Sequence, residues 1–220
     1  MSGVGYWVLW ILCRGIARLC FRFRVIGQEH IPRHGPVVIA SNHGSYLDIP
    51  FLGIASRRRL RFLGRQDLFP IPGLRWILQR LAWIPIRQDR FDRSGFGYAL
   101  ELLQRGEVVV IFPEGGRTRT GALQPGKPGI GMLIAEHDWP VVPAHISGAF
   151  DAWPMDAKWI KCHPVTVRFG AAMRFADERM RMPKKEFYRH VSRTVMHRIA
   201  DVGQVAPPHE HRAGTTVAQG

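Results

Sequence analysis

Two stretches of this chain are apolar without alternation: Val37–Ala40, read as Val-Val-Ile-Ala, and Val108–Phe112, read as Val-Val-Val-Ile-Phe. A strand with one wet face alternates polar and apolar residues. A strand without alternation must be covered on both faces, which calls for a largely parallel sheet between helical layers. Each stretch runs into a turn and then into residues with helical spacing. That order restricts the chain to the α/β class.

The remaining elements fit this frame. Strands are predicted at Phe21–Gly27, Leu60–Arg65, Ala82–Ile86, Trp139–Gly148 and His163–Gly170. Helical spacing predicts helices at Ser45–Ser56, Gly73–Leu81, Arg93–Gly106, Pro128–His137 and Lys184–Gly203, with Pro50 in the first turns of the first. At 220 residues, 46% hydrophobic, the chain has the material for one core without disulfides. The expected architecture is a single α/β domain with a mixed, largely parallel sheet flanked by helices. We place the domain at 25–202, after an N-terminal amphipathic membrane-contacting helix at 1–24 and before a disordered tail at 203–220. His209 and His211 belong to that tail and read as solvated rather than metal-binding.

Cys13, Cys20 and Cys162 form no CxxC pair, which argues against a structural zinc site or a secreted disulfide framework. A reducing compartment fits. The net charge of +14 points to nucleic acid, an anionic membrane or phosphorylated ligands. Nucleic acid is disfavoured: zinc-finger spacing, an RNP-like aromatic strand and a basic heptad region are all missing from the sequence. The run Val4–Cys13 is apolar but too short for a span of roughly 20 residues, and Arg14, Arg18 and Arg22 follow at helical spacing. This pattern suits a helix lying in an anionic membrane interface. Packing of the same helix on its own domain is the alternative.

Where the first apolar strand ends, the chain reads Asn42-His-Gly-Ser-Tyr-Leu-Asp48. Ligand sites of open α/β sheets gather at the carboxyl ends of strands, which makes His43 a candidate base and Asp48 its partner. Ser45-x-x-Asp48 also fits a helix capping box, and the stretch taken alone reads better as a helix start. The second apolar strand ends in Phe112-Pro-Glu-Gly-Gly-Arg-Thr-Arg119. Its glycines would let backbone N–H groups approach an anion, and its arginines offer forked donors matched to phosphate oxygens. It is neither a Walker A loop nor GxGxxG. Lys127 could add a third cation.

Taken together, the two stretches resemble the glycerolipid acyltransferase family, of the lysophosphatidic acid acyltransferase type. The family's first block matches Asn42, His43, Ser45 and Asp48, and its third matches Phe112–Arg119. The second resembles Leu63–Arg90 and the fourth the strand around Pro143. The resemblance runs from about Val25 to Gly170. It departs at Gly116, where the family has threonine, and at Arg65, where lysine is common.

The resemblance implies acyl transfer from a thioester to the sn-2 hydroxyl of lysophosphatidic acid, giving phosphatidic acid. His43 would take the hydroxyl proton and Asp48 would orient the imidazole, whose ordinary value near ~6.5 suits a base. Glu114 would order the loop, and Gly115, Gly116, Arg117, Arg119 and Lys127 would surround the acceptor phosphate. Arg65 and Arg90 would extend that site or meet the donor's phosphates. The reaction calls for no metal and no cofactor beyond acyl-CoA or acyl-carrier protein as cosubstrate. The resemblance also implies an anionic membrane surface on the cytoplasmic face of the inner membrane. Other readings are acylation of glycerol-3-phosphate or of an ornithine-type lyso-lipid, non-catalytic membrane binding, and a metal-dependent hydrolase.

Overall fold

The computed structural model describes residues 3–65, 83–86 and 93–209. In chain order the regular elements are α1 (Gly3–Phe21), β1 (Arg24–Ile26), β2 (Val37–Ser41), α2 (Asp48–Ala55), β3 (Leu60–Arg65) and β4 (Trp83–Ile86). They continue with α3 (Arg93–Gln104), β5 (Val108–Ile111), α4 (Gly129–Glu136), β6 (Val141–Ser147), α5 (Ala149–Ala152), β7 (Thr166–Phe169), α6 (Ala176–Arg181) and α7 (Lys184–Gly203). The helix expected at 73–81 lies outside the described residues.

The strands form one seven-stranded sheet in the order β1-β7-β6-β2-β5-β3-β4. Among the described strand pairings only that of β6 with β7 is antiparallel, so the sheet is mixed and largely parallel, as expected. Strand β2 is central and all five of its residues are buried. Val37 and Ile39 face one core with α1 and α2, while Val38 and Ala40 face a second core with α3, α4 and α7. This two-sided burial is the physical reason the run does not alternate.

The same arrangement positions the site. Strands β2, β5 and β6 run parallel, so their carboxyl ends, Ser41, Ile111 and Ser147, reach one edge of the sheet side by side. From that edge α2 folds back over one face and α4 over the other. The chain therefore leaves two neighbouring strands toward opposite faces, which opens a crevice between them.

Pro50 is the third residue of α2, where its missing N–H would have had no intrahelical partner. The last helix occupies Lys184–Gly203, as its spacing predicts. The stretch expected as a tail begins with that helix's final residue and a turn, and Pro208 is buried. Residues 210–220 lie outside the described residues.

The N-terminal arginines are not equally exposed. Arg14 turns inward, donating from Nη1 to the Ile54 carbonyl at 2.7 Å, with its guanidinium 4.8 Å from the Trp10 ring centre. Burial lowers its pKa. Arg18 and Arg22 remain outside the core. Arg14 is drawn in because the carboxyl end of α2 presents carbonyls that lack helical partners.

Candidate active site

Asp48 opens α2, and one of its oxygens organises the preceding turn. Oδ2 accepts from His43 Nδ1 at 2.9 Å, from the Gly44 N–H at 2.7 Å and from the Ser45 N–H at 2.8 Å. The bond from Ser45 N–H is the reaching-back half of a capping box. The other half is not formed: Ser45 Oγ donates to the Trp153 carbonyl at 2.8 Å and accepts from the Leu47 N–H at 3.2 Å. The expected reciprocal box is thus corrected to a half-box, because the hydroxyl oxygen accepts from the Leu47 N–H while its proton goes to the distant Trp153 carbonyl. That proton is therefore directed to Trp153 and not to the imidazole.

His43 and Asp48 are both buried, at 7% and 1% exposure. The imidazole stacks on Phe112, with ring centres 4.0 Å apart and planes 16° from parallel. With Nδ1 donating to the carboxylate, Nε2 is left as the acceptor, the tautomer a general base requires. Their mutual hydrogen bond turns Nδ1 and Oδ2 toward each other instead of toward a shared ion.

Glu114 ties the two motifs together. Its Oε1 accepts the His43 N–H at 2.9 Å and its Oε2 the Gln124 N–H at 3.1 Å. Burial pushes this carboxyl up to about 7, the two N–H bonds pull it down, and the charge of Asp48 adds to the upward push. The Thr118 N–H donates to the His43 carbonyl at 2.9 Å, so the loop is stitched to the histidine's own backbone on both sides. Through these contacts Glu114 links the His43 backbone to that of Gln124.

Arg117 lies across the Tyr46 ring, its guanidinium carbon 3.6 Å from the ring centre. Among the described residues its buried Nη1 has no hydrogen-bond partner. A buried guanidinium donor left unpaired is costly unless something anionic meets it. Gly115 adopts φ +69°, and a Cβ there would fall 2.8 Å from Lys127 Nζ, so Lys127 lies over the glycine. Gly116 is exposed, with open space where a side chain would project. Arg119 is exposed. The site thus gathers His43, Asp48, Glu114, Gly115, Arg117 and Lys127. Arg65 ends β3, two strands from β2 on the same sheet edge, and Arg90 lies outside the described residues.

Several supporting residues were not singled out from the sequence. The Asn42 side chain accepts the Ile146 N–H at 2.7 Å and donates to the Ile146 carbonyl at 3.0 Å, extending the β2–β6 pairing past the last strand residue. Phe150, on the short α5, closes over Gly44 and Gly121: a Cβ at either would meet its side chain at 3.2 and 3.0 Å. Trp153 lies 5.4 Å from Tyr46, ring centre to ring centre. Asn42 belonged to a quoted motif, but its partner is remote in the chain and no local signal marks it.

A buried His–Asp pair at the carboxyl edge of an α/β sheet, with the nearby serine hydroxyl directed elsewhere, is an arrangement that can take a proton from an incoming nucleophile. The unpaired guanidinium donor of Arg117 beside it can meet an anionic group. The chain belongs to the acyltransferase family, which it matches over residues 22–147. It is 30% identical over 146 residues to the chloroplastic 1-acyl-sn-glycerol-3-phosphate acyltransferase BAT2 of Brassica napus, across 65% of this chain and 42% of that one. It is 34% identical over 116 residues to a lyso-ornithine lipid O-acyltransferase of Pseudomonas aeruginosa, across 52% of this chain and 43% of that one. The chain therefore spans about two-fifths of the length of these relatives. The crystal structure of the 1-acyl-sn-glycerophosphate acyltransferase PlsC from Thermotoga maritima superposes with a TM-score of 0.61 at 25% identity, covering 81% of this chain and 72% of that one.

Proposed function

We propose that this protein transfers a fatty acyl group from a thioester, acyl-CoA or acyl-carrier protein, to the sn-2 hydroxyl of lysophosphatidic acid, forming phosphatidic acid. The observation that carries the reading is the buried His43–Asp48 pair beside the unpaired Nη1 of Arg117. The acceptor phosphate meets Arg117, with Lys127 over Gly115 next to it. Its hydroxyl gives its proton to His43 Nε2 while the oxygen attacks the thioester carbonyl. Asp48 stabilises the resulting imidazolium. The tetrahedral intermediate collapses, the thiolate leaves, and the imidazolium returns the proton to sulfur. Atoms balance as ester plus free thiol, with no acyl-enzyme. Much of the acceleration comes from holding two bound substrates in line.

The enzyme works against an anionic lipid surface on the cytoplasmic face of the inner membrane. The net charge of +14 and the exposed apolar face of α1 support this placement, and three free cysteines suit a reducing side. His43→Ala is expected to lower turnover by about 10²–10⁴-fold with the fold intact by circular dichroism. Turnover within a few fold of wild type removes His43 as the base. The likeness to a lyso-ornithine lipid acyltransferase supports a second acceptor, since a guanidinium also binds carboxylate. A panel of lyso-lipids with labelled acyl thioester decides between the two.

A further inference from the structure

Helix α7 carries two rows of residues at four-residue spacing. Phe187, Val191, Val195 and Ile199 are buried in the core, and on the opposite side Lys185, Arg189, Arg193 and His197 are exposed. By itself the basic row would be a solvated helix face. What distinguishes it is a wall. The loop Pro125–Pro128 lies beside the row and borders an open cleft of about 700 Å³, within the range of small-molecule sites. The wall is firmly seated: Ser192 Oγ donates to the Lys127 carbonyl at 3.0 Å, and a Cβ at Gly126 would collide with that same hydroxyl. The row spans about 18 Å at ~1.5 Å per residue, and a single carboxylate, Glu186, lies among its cations.

The cleft is also connected to the chemistry. Its wall is the far end of the loop that begins at Glu114, and the Lys127 N–H donates to the Pro113 carbonyl at 2.8 Å. The carboxyl end of α7 reaches the catalytic side of the sheet, where Gly203 meets the His145 ring of β6. A long ligand anchored along α7 therefore lies behind the glycine-rich loop with one end toward the edge that bears His43.

We propose that this cleft seats the phosphate-bearing nucleotide end of the acyl donor, so that the donor is a coenzyme A thioester. The inference rests on the acyl-transfer reading and names that reaction's second substrate. A row of guanidinium and ammonium groups beside a nucleotide-sized concavity matches three closely spaced phosphates on a small molecule. A folded acidic carrier would need a broader and flatter surface.

The test uses the double variant Lys185→Glu, Arg189→Glu in the full chain, with melting temperature confirming an unchanged fold. Free coenzyme A binding is measured by calorimetry, and transfer is measured with acyl-CoA, with acyl-carrier protein and with the phosphate-free N-acetylcysteamine thioester, all bearing the same acyl group. The expected result is at least tenfold weaker coenzyme A binding and at least a tenfold higher KM for acyl-CoA, with kcat and the N-acetylcysteamine reaction within twofold of wild type. Unchanged coenzyme A binding, equal loss on both thioesters, or a loss confined to acyl-carrier protein overturns the proposal. Should coenzyme A bind wild type and bind the variant more weakly while neither transfers an acyl group, the cleft assignment stands and the acceptor chemistry falls.

Discussion

Asp48 performs two jobs through a single oxygen: it holds the imidazole of His43 and it satisfies the N–H groups of Gly44 and Ser45. The two jobs separate by substitution. In Asp48→Asn the amide oxygen can still accept the backbone donors, but the imidazole loses its ionic partner and can take the tautomer that places a proton on Nε2. We expect turnover to fall by about 10²–10⁴-fold with a stability loss of about 1–2 kcal/mol. Asp48→Ala strands all the donors and is expected to cost roughly 3 kcal/mol or more in urea unfolding. Equal destabilisation by both variants, with turnover near wild type in Asp48→Asn, would sink the orienting role. Glu114 supplies a prediction in pH. Its folded value of about 7 lies above the ordinary 4.5, so the native state holds the extra proton and that stabilisation is present below about 4.5 and lost as pH rises through 7. Glu114→Gln carries no such titration. Its stability relative to wild type should therefore rise between pH 5 and pH 8, by up to roughly 3 kcal/mol, in paired urea titrations. A flat difference would contradict the raised value.

At the scale of elements, the strands were legible where both faces are covered, because a central parallel strand writes its burial into an unbroken apolar run. Strand order was not legible, since pairings such as β2 with β6 join residues about a hundred positions apart and leave no local trace. The short helices α5 and α6 were missed because six residues or fewer carry too little period to read. Of the site, His43, Asp48 and Glu114 were legible as motif residues, whereas the recruitment of Ser45 by Trp153 and of Asn42 by Ile146 depends on tertiary approach. The end of α7 shows the same dependence in a testable form. Gly203 lies in a helix, where alanine normally stabilises by up to ~1 kcal/mol. Here a Cβ would fall 2.5 Å from ring carbons of His145, which is 5% exposed in β6. Gly203→Ala should instead destabilise by about 1–3 kcal/mol, since the enclosed ring has no room to yield. Gly129→Ala, with open space at its Cβ, is the matched control and should be neutral or stabilising. The same histidine sets an acid limit. Burial first, then the charge of Arg168, holds it down at about 4 against Asp48's upward pull. With its folded value below the ordinary 6.5, its contribution is present above 6.5 and lost as pH falls toward 4.

For the whole molecule, α1 is the element with two unlike faces. One face of this helix docks on α2: Ala17 is buried, and Trp10 Nε1 donates to the carbonyls of Gly53 and Ser56, each at 3.1 Å. The other face carries Trp7, Val8, Ile11, Leu12, Ile16 and Leu19, with Ile11 62% and Leu19 86% exposed. Among the described residues no helix is long and apolar enough to cross a membrane. A docked helix with a bare apolar stripe on a chain of charge +14 suits one that lies in an anionic interface while staying attached to its domain. Packing on the domain and contact with lipid are therefore compatible, and the two faces can be tested apart. Ile11→Glu with Leu19→Glu adds charge only where the side chains already meet solvent. It should leave the melting temperature within about 2 °C while lowering partition onto phosphatidylglycerol-containing vesicles at least tenfold, because burying a charged side chain in the interface is strongly disfavoured. Trp10→Ala removes the docking anchor and a partly buried N–H donor shared between two carbonyls. It should destabilise by about 2–4 kcal/mol while the lipid-facing stripe stays intact. If the exposed-face variant instead lowers the melting temperature and leaves vesicle binding unchanged, α1 is a packing element alone, and the proposed contact of its apolar stripe with lipid is overturned.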